Sequence, residues 1–398
     1  MNKVNIAFIL SIALLISCQK TKDKQYTVTL IDSPAGLTSG EPYLTANDQG
    51  DIYLSWLESN DSINKFKMSK LENDHWLSPM LIDSGKNWFV NWADYPMVAV
   101  HGQSFIAHYL AKSARSTFAY DVKLISSTDA GSSWTKPRVL HDDGKKAEHG
   151  FVSMLPYGNN FFVAWLDGRN TVMEGMEGMD HSGHHGQMSL RAAVIDKTGN
   201  KINEWELDNR TCDCCQTSAA ITNNGPVVVY RDRSDDEIRD MSIVRYIEGE
   251  WTEPKPIYED KWKIAGCPVN GPRVASQGNN LAIAWFTVPD GKPQVNVIFS
   301  EDGGSTFTQP IQIDEGEAIG RVDIVMLDNQ STIVTWMEGG NIKGVEVSKE
   351  GKGISFTIAS SSTARSSGFP QLAKSGNRLV FAWTDDQEKK IKTAYLDL

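Results

Sequence analysis

Cys212, Cys214 and Cys215 form a C-x-C-C run, and Cys267 lies further along the same half of this 398-residue chain. Four thiols permit three disulfide pairings, and immediate neighbours such as Cys214 and Cys215 cannot join without strain. A bridge from Cys267 to one of the other three is therefore the expected bond in an oxidised chain, with a thiolate metal site as the competing reading. A second set of soft donors comprises Met173, Met176, Met179 and Met188 with His181, His184 and His185, in a Gly-rich run without a core pattern. Thioether with imidazole favours Cu(I), or Cu(II) on the histidines, and His149 adds another imidazole; the plain alternative is a polar loop of biased composition. The third set is charged. Asp167, Arg169, Arg231, Asp232, Arg233, Glu237 and Arg239 follow apolar runs, and Asp94, Arg273 and Arg321 precede or begin others. Arginine forks grip carboxylates at two points, so this clustering suits an anionic ligand, against the bland reading of a solvated rim.

What must position these residues is a repeat. Seven short apolar strands end in Trp56, Tyr109, Trp165, Tyr230, Trp285, Trp336 and Trp383, and a second aromatic follows each: Trp76, Trp134, Trp205, Trp251, Phe307 and Phe356, with Tyr26 as the partner of Trp383. Self-similarity at about 50 residues, in β-branched and aromatic runs separated by Gly/Asn turns, predicts an all-β propeller of seven four-stranded blades. The last repeat supplies only three strands before Leu398, so Tyr26 to Ile31 is expected to complete it and close the ring. In such a meander the start of the first strand and the end of the second share a face. The segments before Pro42, Pro96, Gly150, Thr217, Pro272, Arg321 and Pro370, and those after the seven aromatics, therefore meet at one channel mouth. The Met/His run reaches the same mouth as an insertion: Trp165 and Trp205 are 40 residues apart, against 20 to 25 in the other internal repeats.

The N-terminus reads differently. Lys3 precedes an apolar run from Ile6 to Ile16, too short for a stable span but right for a secretory signal, and it ends Leu15-Ile16-Ser17-Cys18. This resembles a bacterial lipoprotein signal, which implies a signal peptide at 1–17, lipidation of Cys18, a tether at 18–24, a single propeller at 25–398, and a lipid-anchored place in the cell envelope, periplasmic or surface-exposed. A net charge of −11 argues against nucleic acid and against a polybasic hold on lipid, leaving the lipid anchor as the membrane contact.

Ser127-Thr128-Asp129-Ala130-Gly131-Ser132-Ser133-Trp134 and Ser300-Glu301-Asp302-Gly303-Gly304-Ser305-Thr306-Phe307 both fit S-x-D-x-G-x-x-[WF]. This resembles the Asp-box, or BNR repeat, of the sialidase superfamily, a turn that marks the blade rim and carries no catalysis. The resemblance implies an Arg set holding a sugar carboxylate, for which Arg169, Arg231, Arg233, Arg273 and Arg321 stand in position, with Asp167, Asp232 and Glu237 as candidate catalytic carboxyls. The implied enzyme is an exo-sialidase type of glycoside hydrolase; recognition of an acidic glycan or other small anionic ligand without turnover stands beside it. Sialidases have six blades, which keeps a six-bladed count as the alternative. They also carry an early Arg-Ile-Pro where this chain reads Gly40-Glu41-Pro42, and no nucleophilic Tyr is assigned, Tyr43 and Tyr95 being nearest the mouth. The second function class is copper or other soft-metal binding by the Cys cluster and the Met/His run, copper being the one cofactor these residues suggest; the third is a protein-interaction scaffold.

Overall fold

The computed structural model describes residues 26–60, 62–172 and 186–398. The signal segment with Cys18, and Met173, Met176, Met179, His181, His184 and His185, fall outside the described residues.

Seven antiparallel sheets follow one another along the chain, each a four-strand meander, and in three of them the outermost strand is broken into two short pieces. The innermost strands are Ser39–Ala46, Met97–His101, His149–Tyr157, Ser218–Ile221, Arg273–Gln277, Ala318–Met326 and Gln371–Ser375. Each of them touches the innermost strands of both neighbours, the first and seventh included, so the blades form a closed seven-bladed ring. The six-bladed alternative is thereby excluded, and the seven repeat units correspond one to one with sheets. Closure comes from the N-terminus: Thr29–Ile31 is the fourth strand of blade 7, with Thr29, Leu30 and Ile31 opposite Tyr395, Ala394 and Thr393. It occupies what would otherwise be an open hydrogen-bonding edge.

The first aromatic column is the core. Trp56, Trp165, Trp285 and Trp336 are fully buried, and Tyr109, Tyr230 and Trp383 nearly so. A buried indole N–H must still find an acceptor. Trp56, Trp165 and Trp336 donate to the carboxylate two residues on, Glu58 at 2.9 Å, Asp167 at 2.9 Å and Glu338 at 2.7 Å. This W-x-[D/E] device explains why acids recur where the second strands end. Glu338 also accepts from the amides of Glu315 and Glu317, and Glu58 from that of Gly36, which pins the mouth loops.

The two S-x-D-x-G turns have the same internal bonding. Asp129 accepts from the Ser133 amide and hydroxyl and the Ser127 hydroxyl; Asp302 accepts from the Thr306 amide and hydroxyl and the Ser300 hydroxyl. The Ser133 hydroxyl, then the Ser127 hydroxyl and the Ser133 amide, hold the Asp129 carboxyl down to about 2.

Candidate functional site at the channel mouth

The mouth is shaped by three bulges. In blades 1, 3 and 6 the strand register jumps between Gly40 and Tyr43, Gly150 and Ser153, and Gly320 and Asp323, so two inner-strand residues oppose a single Trp: Trp56, Trp165 or Trp336. The first residue of each pair sits at positive φ, Glu41 at 52°, Phe151 at 52° and Arg321 at 55°. Non-glycine residues in that region are strained, and bulges re-aim side chains next to functional sites. Gly150 is required by close approach, since a Cβ there would lie 2.0 Å from Oδ2 of Asp94.

Around this rim Asp94, Tyr120 and Glu148 form a hydrogen-bonded trio. The Tyr120 hydroxyl lies 2.7 Å from Oε1 of Glu148 and 3.4 Å from Oδ2 of Asp94, while the Phe151 amide donates to Asp94 Oδ1 at 2.7 Å. Burial pushes Glu148 up to about 8 and Asp94 up to about 7, the charges of Asp94 and Asp213 further disfavouring ionisation of Glu148. Burial likewise drives the Tyr120 hydroxyl far above its ordinary range. Carboxyls held near neutrality can donate and accept protons at physiological pH. Sequence reasoning reached Asp94 but passed over Tyr120 and Glu148. Glu148 was within reach of the same topological rule, because it immediately precedes the inner strand of blade 3.

The five candidate arginines have separate fates. Arg169 is clamped by Asp167, with Nε and Nη2 each 2.8 Å from a carboxylate oxygen, and further flanked by Asp143 and Glu204. Arg231 is fully buried over Trp262 and gives its donors to the carbonyls of Asn270, Arg239 and Phe286. Arg233 pairs with Glu237 and Asp213. Arg273 donates to the Tyr95 hydroxyl and faces Asp323 at 3.7 Å. Arg321, like Arg231, lacks a carboxylate partner among the described residues, but unlike Arg231 it makes all its side-chain hydrogen bonds through Nη1. Its Nη1 meets the carbonyls of Ala364 and Gly368 and the Ser367 hydroxyl, and its guanidinium lies 4.8 Å from the Trp92 ring centre. Burial, with Arg365 nearby, lowers it to about 10. Trp92 stacks on Phe369, which contacts Tyr95, and Tyr95 stacks on Tyr43.

The candidate carboxyls are also engaged. Asp167 is fully buried between Trp165, Arg169 and His149. Asp232 accepts from the Arg233 amide and the Ser242 hydroxyl, and burial raises it to about 6. Glu237 is held down by Arg233, then by Arg239.

His149 lies opposite Asp167 in the strand ladder and stacks face to face on His141, ring centres 3.5 Å apart. Its Nε2 is 3.0 Å from Asp143 and 3.6 Å from Asp167. Burial lowers the His149 imidazole, but the Asp143 hydrogen bond and the Asp167 charge win and raise it. Met188, also a candidate donor, is buried in the core on the third strand of blade 3, its neighbours apolar side chains.

All four described cysteines are free thiols, and the expected Cys267 disulfide is not formed. The thiols of Cys212, Cys214 and Cys215 lie within 4.8 Å of one another, and Cys267 meets Cys214 from the next blade. The thiols and Arg169 share one end of the channel: Gly168 donates to the Glu148 carbonyl at 2.8 Å, and Glu148 feels the charge of Cys267 and Asp213.

No protein-family model matches the chain, and no curated protein matches its sequence. Similar solved structures do exist. An ulvan lyase described as a new family of polysaccharide lyase aligns with a TM-score of 0.51 at 14% identity, over 80% of this chain and 81% of its own. The NanB sialidase of Streptococcus pneumoniae, as a K499G mutant, aligns at 0.46 and 10% identity over 94% and 92% of the two chains. An α-L-arabinanase of Penicillium chrysogenum aligns at 0.48 and 11% identity over 94% and 98%. At such identities the likeness to the lyase establishes a shared fold and nothing more.

Proposed function

We propose that the protein takes an acidic glycan at the mouth of its central channel and acts on it as a glycan-processing enzyme. The observation that carries this reading is Arg321, a buried guanidinium at a strained bulge position, without a carboxylate of its own and stacked on Trp92. A buried charge is costly unless something pairs with it, and a carboxylate-bearing sugar supplies that partner. The aromatic faces of Trp92, Tyr95 and Tyr43 suit the apolar faces of sugar rings. Asp94 belongs to the same loop as Trp92, so the Tyr120–Glu148–Asp94 trio stands beside the same mouth, with carboxyls able to transfer protons to a glycosidic oxygen. Arg321, bonded only through Nη1 and paired with no carboxylate, favours a single two-point grip on an internal sugar acid over the arginine triad of the exo-sialidase arrangement. The ulvan lyase of similar fold is known bound to -[GlcA(1-4)Rha3S]-, a chain containing a uronic acid, which supports this ligand class. The signal ending in Cys18 supports a place for this activity on the cell envelope.

The test is isothermal titration and product analysis against uronate-containing polysaccharides, neutral polysaccharides and a fluorogenic sialoside. Binding confined to the uronate chains, with new chain ends that vanish in Glu148→Gln, is the expected result. Equal binding of neutral and acidic chains would overturn the assignment, and robust sialoside turnover would replace it with the exo-sialidase reading.

A further inference from the structure

The cysteine cluster is not used by the proposed glycan site, and its geometry has a purpose of its own. Cys212 follows the outer strand of blade 3, and its amide is fixed to the Arg231 carbonyl at 3.1 Å. Cys214 and Cys215 turn back toward it, bringing the Cys212 and Cys215 sulfurs to 3.7 Å. That is a non-bonded distance, and it matches a tetrahedral edge: a metal–sulfur bond of about 2.3 Å places neighbouring sulfurs about 3.8 Å apart. The third sulfur, Cys214, lies within the same 4.8 Å group, and Cys267 approaches Cys214 from the more exposed side. The cluster is thus three thiols converging from one turn and a fourth arriving as a lid ligand from the adjacent blade.

A cation stands where thiolates would need one. Arg239, itself buried, donates from Nη1 to the Cys212 sulfur at 3.2 Å and is held in place by Glu237 through Nη2 at 2.8 Å. Hydrogen bonds from outer groups to ligand atoms orient and tune metal sites in this way. An apolar packing role would not call for a guanidinium on a buried sulfur.

We propose that Cys212, Cys214, Cys215 and Cys267 form a thiolate site for one thiophilic d10 cation, Zn(II) or Cu(I), with Arg239 as its outer-sphere partner. With Zn(II), four thiols release four protons and form four metal–sulfur bonds, leaving a net charge of two minus beside Arg239. With Cu(I), Cys212, Cys214 and Cys215 release three protons and form three such bonds, with the same net charge. No redox step is required.

The experiment uses the full chain prepared metal-free under reductant, titrated with Zn(II) or Co(II) in one arm and with Cu(I) against a chromophoric chelator in the other. One equivalent bound per chain is expected, with Cys215→Ser weakening it by about 100-fold or more. Cys267→Ser guards against misfolding as an explanation, since that side chain is exposed. It weakens binding in the Zn(II) arm, together with loss of the tetrahedral Co(II) spectrum, and leaves the Cu(I) arm nearly unchanged. Either arm alone upholds the site and identifies its ion. Binding no stronger than that of the variant with all four cysteines changed to Ser, in both arms, overturns it. So does mass spectrometry of natively isolated protein showing Cys267 joined to one of the other three by a disulfide.

Discussion

Tyr120 donates its hydroxyl to Glu148 at 2.7 Å, tying the third strand of blade 2 to the entry of blade 3 at the rim of the channel. The pair shares its surroundings with Asp94, and its consequence is a stability profile that runs opposite to that of a salt-bridged carboxylate.

Glu148 and Asp94 rise from ordinary values of 4.5 and 3.8 to about 8 and about 7. Between those limits the folded chain binds more protons than the unfolded one, so their contribution to stability is fully present below about pH 4 and is lost as pH rises toward 8. The two titrate as a pair, and the profile belongs to both. Calorimetry from pH 5 to 8.5 should show Glu148→Gln losing less melting temperature than wild type across that window. A larger loss in the variant would refute the burial account.

Arg321 and Arg231 should separate binding from folding. Arg321→Gln is expected to weaken binding of a uronate polysaccharide at least tenfold, about 1.4 kcal/mol or more, with a cooperative unfolding transition retained. Arg231→Gln strips hydrogen bonds from three buried carbonyls and should cost about 3 kcal/mol in urea unfolding. Identical ligand affinities for Arg321→Gln and wild type would remove Arg321 from the site.

Glu338 serves Trp336 and two backbone amides at once. Glu338→Ala orphans all three donors and should destabilise by about 2–4 kcal/mol, whereas Glu338→Gln keeps one carbonyl acceptor and should cost about half as much. Equilibrium urea denaturation of both variants measures the difference; equal costs would mean that the carboxylate geometry is irrelevant.

Deleting residues 26–31 removes the strand that pairs with Lys390–Asp397 and exposes that strand's edge. A lower melting temperature and concentration-dependent association are expected, by calorimetry and light scattering. An unchanged melting temperature would show that the ring holds without this strand.

Much of the architecture was legible beforehand because it is local and periodic. Trp56, Trp165 and Trp336 recur at the repeat spacing since each blade must bury its faces against its neighbours, and the Asp129 and Asp302 carboxylates bond only within their own turns. Even the W-x-[D/E] pairs are visible in the sequence, though Asp167 there reads as charge at the mouth instead of as an acceptor for a buried indole. Glu148 was passed over because a carboxyl beside a histidine gives no sign in sequence of the tyrosine above it.

The sequence by itself determined the all-β repeat, its seven units and the strand expected to close them, because hydrophobic period and meander topology need no distant partner; the closed ring excluded the six-bladed count. Only the tertiary structure decided which groups at the channel mouth are free to act. Arg169, Arg231, Arg233 and Arg321 look alike along the chain, yet Arg231 is consumed by carbonyls of the next blade and Arg321 meets Trp92 from across the ring. Charge and hydrogen-bond partners act over a few ångströms, and in a closed ring those few ångströms join residues hundreds of positions apart.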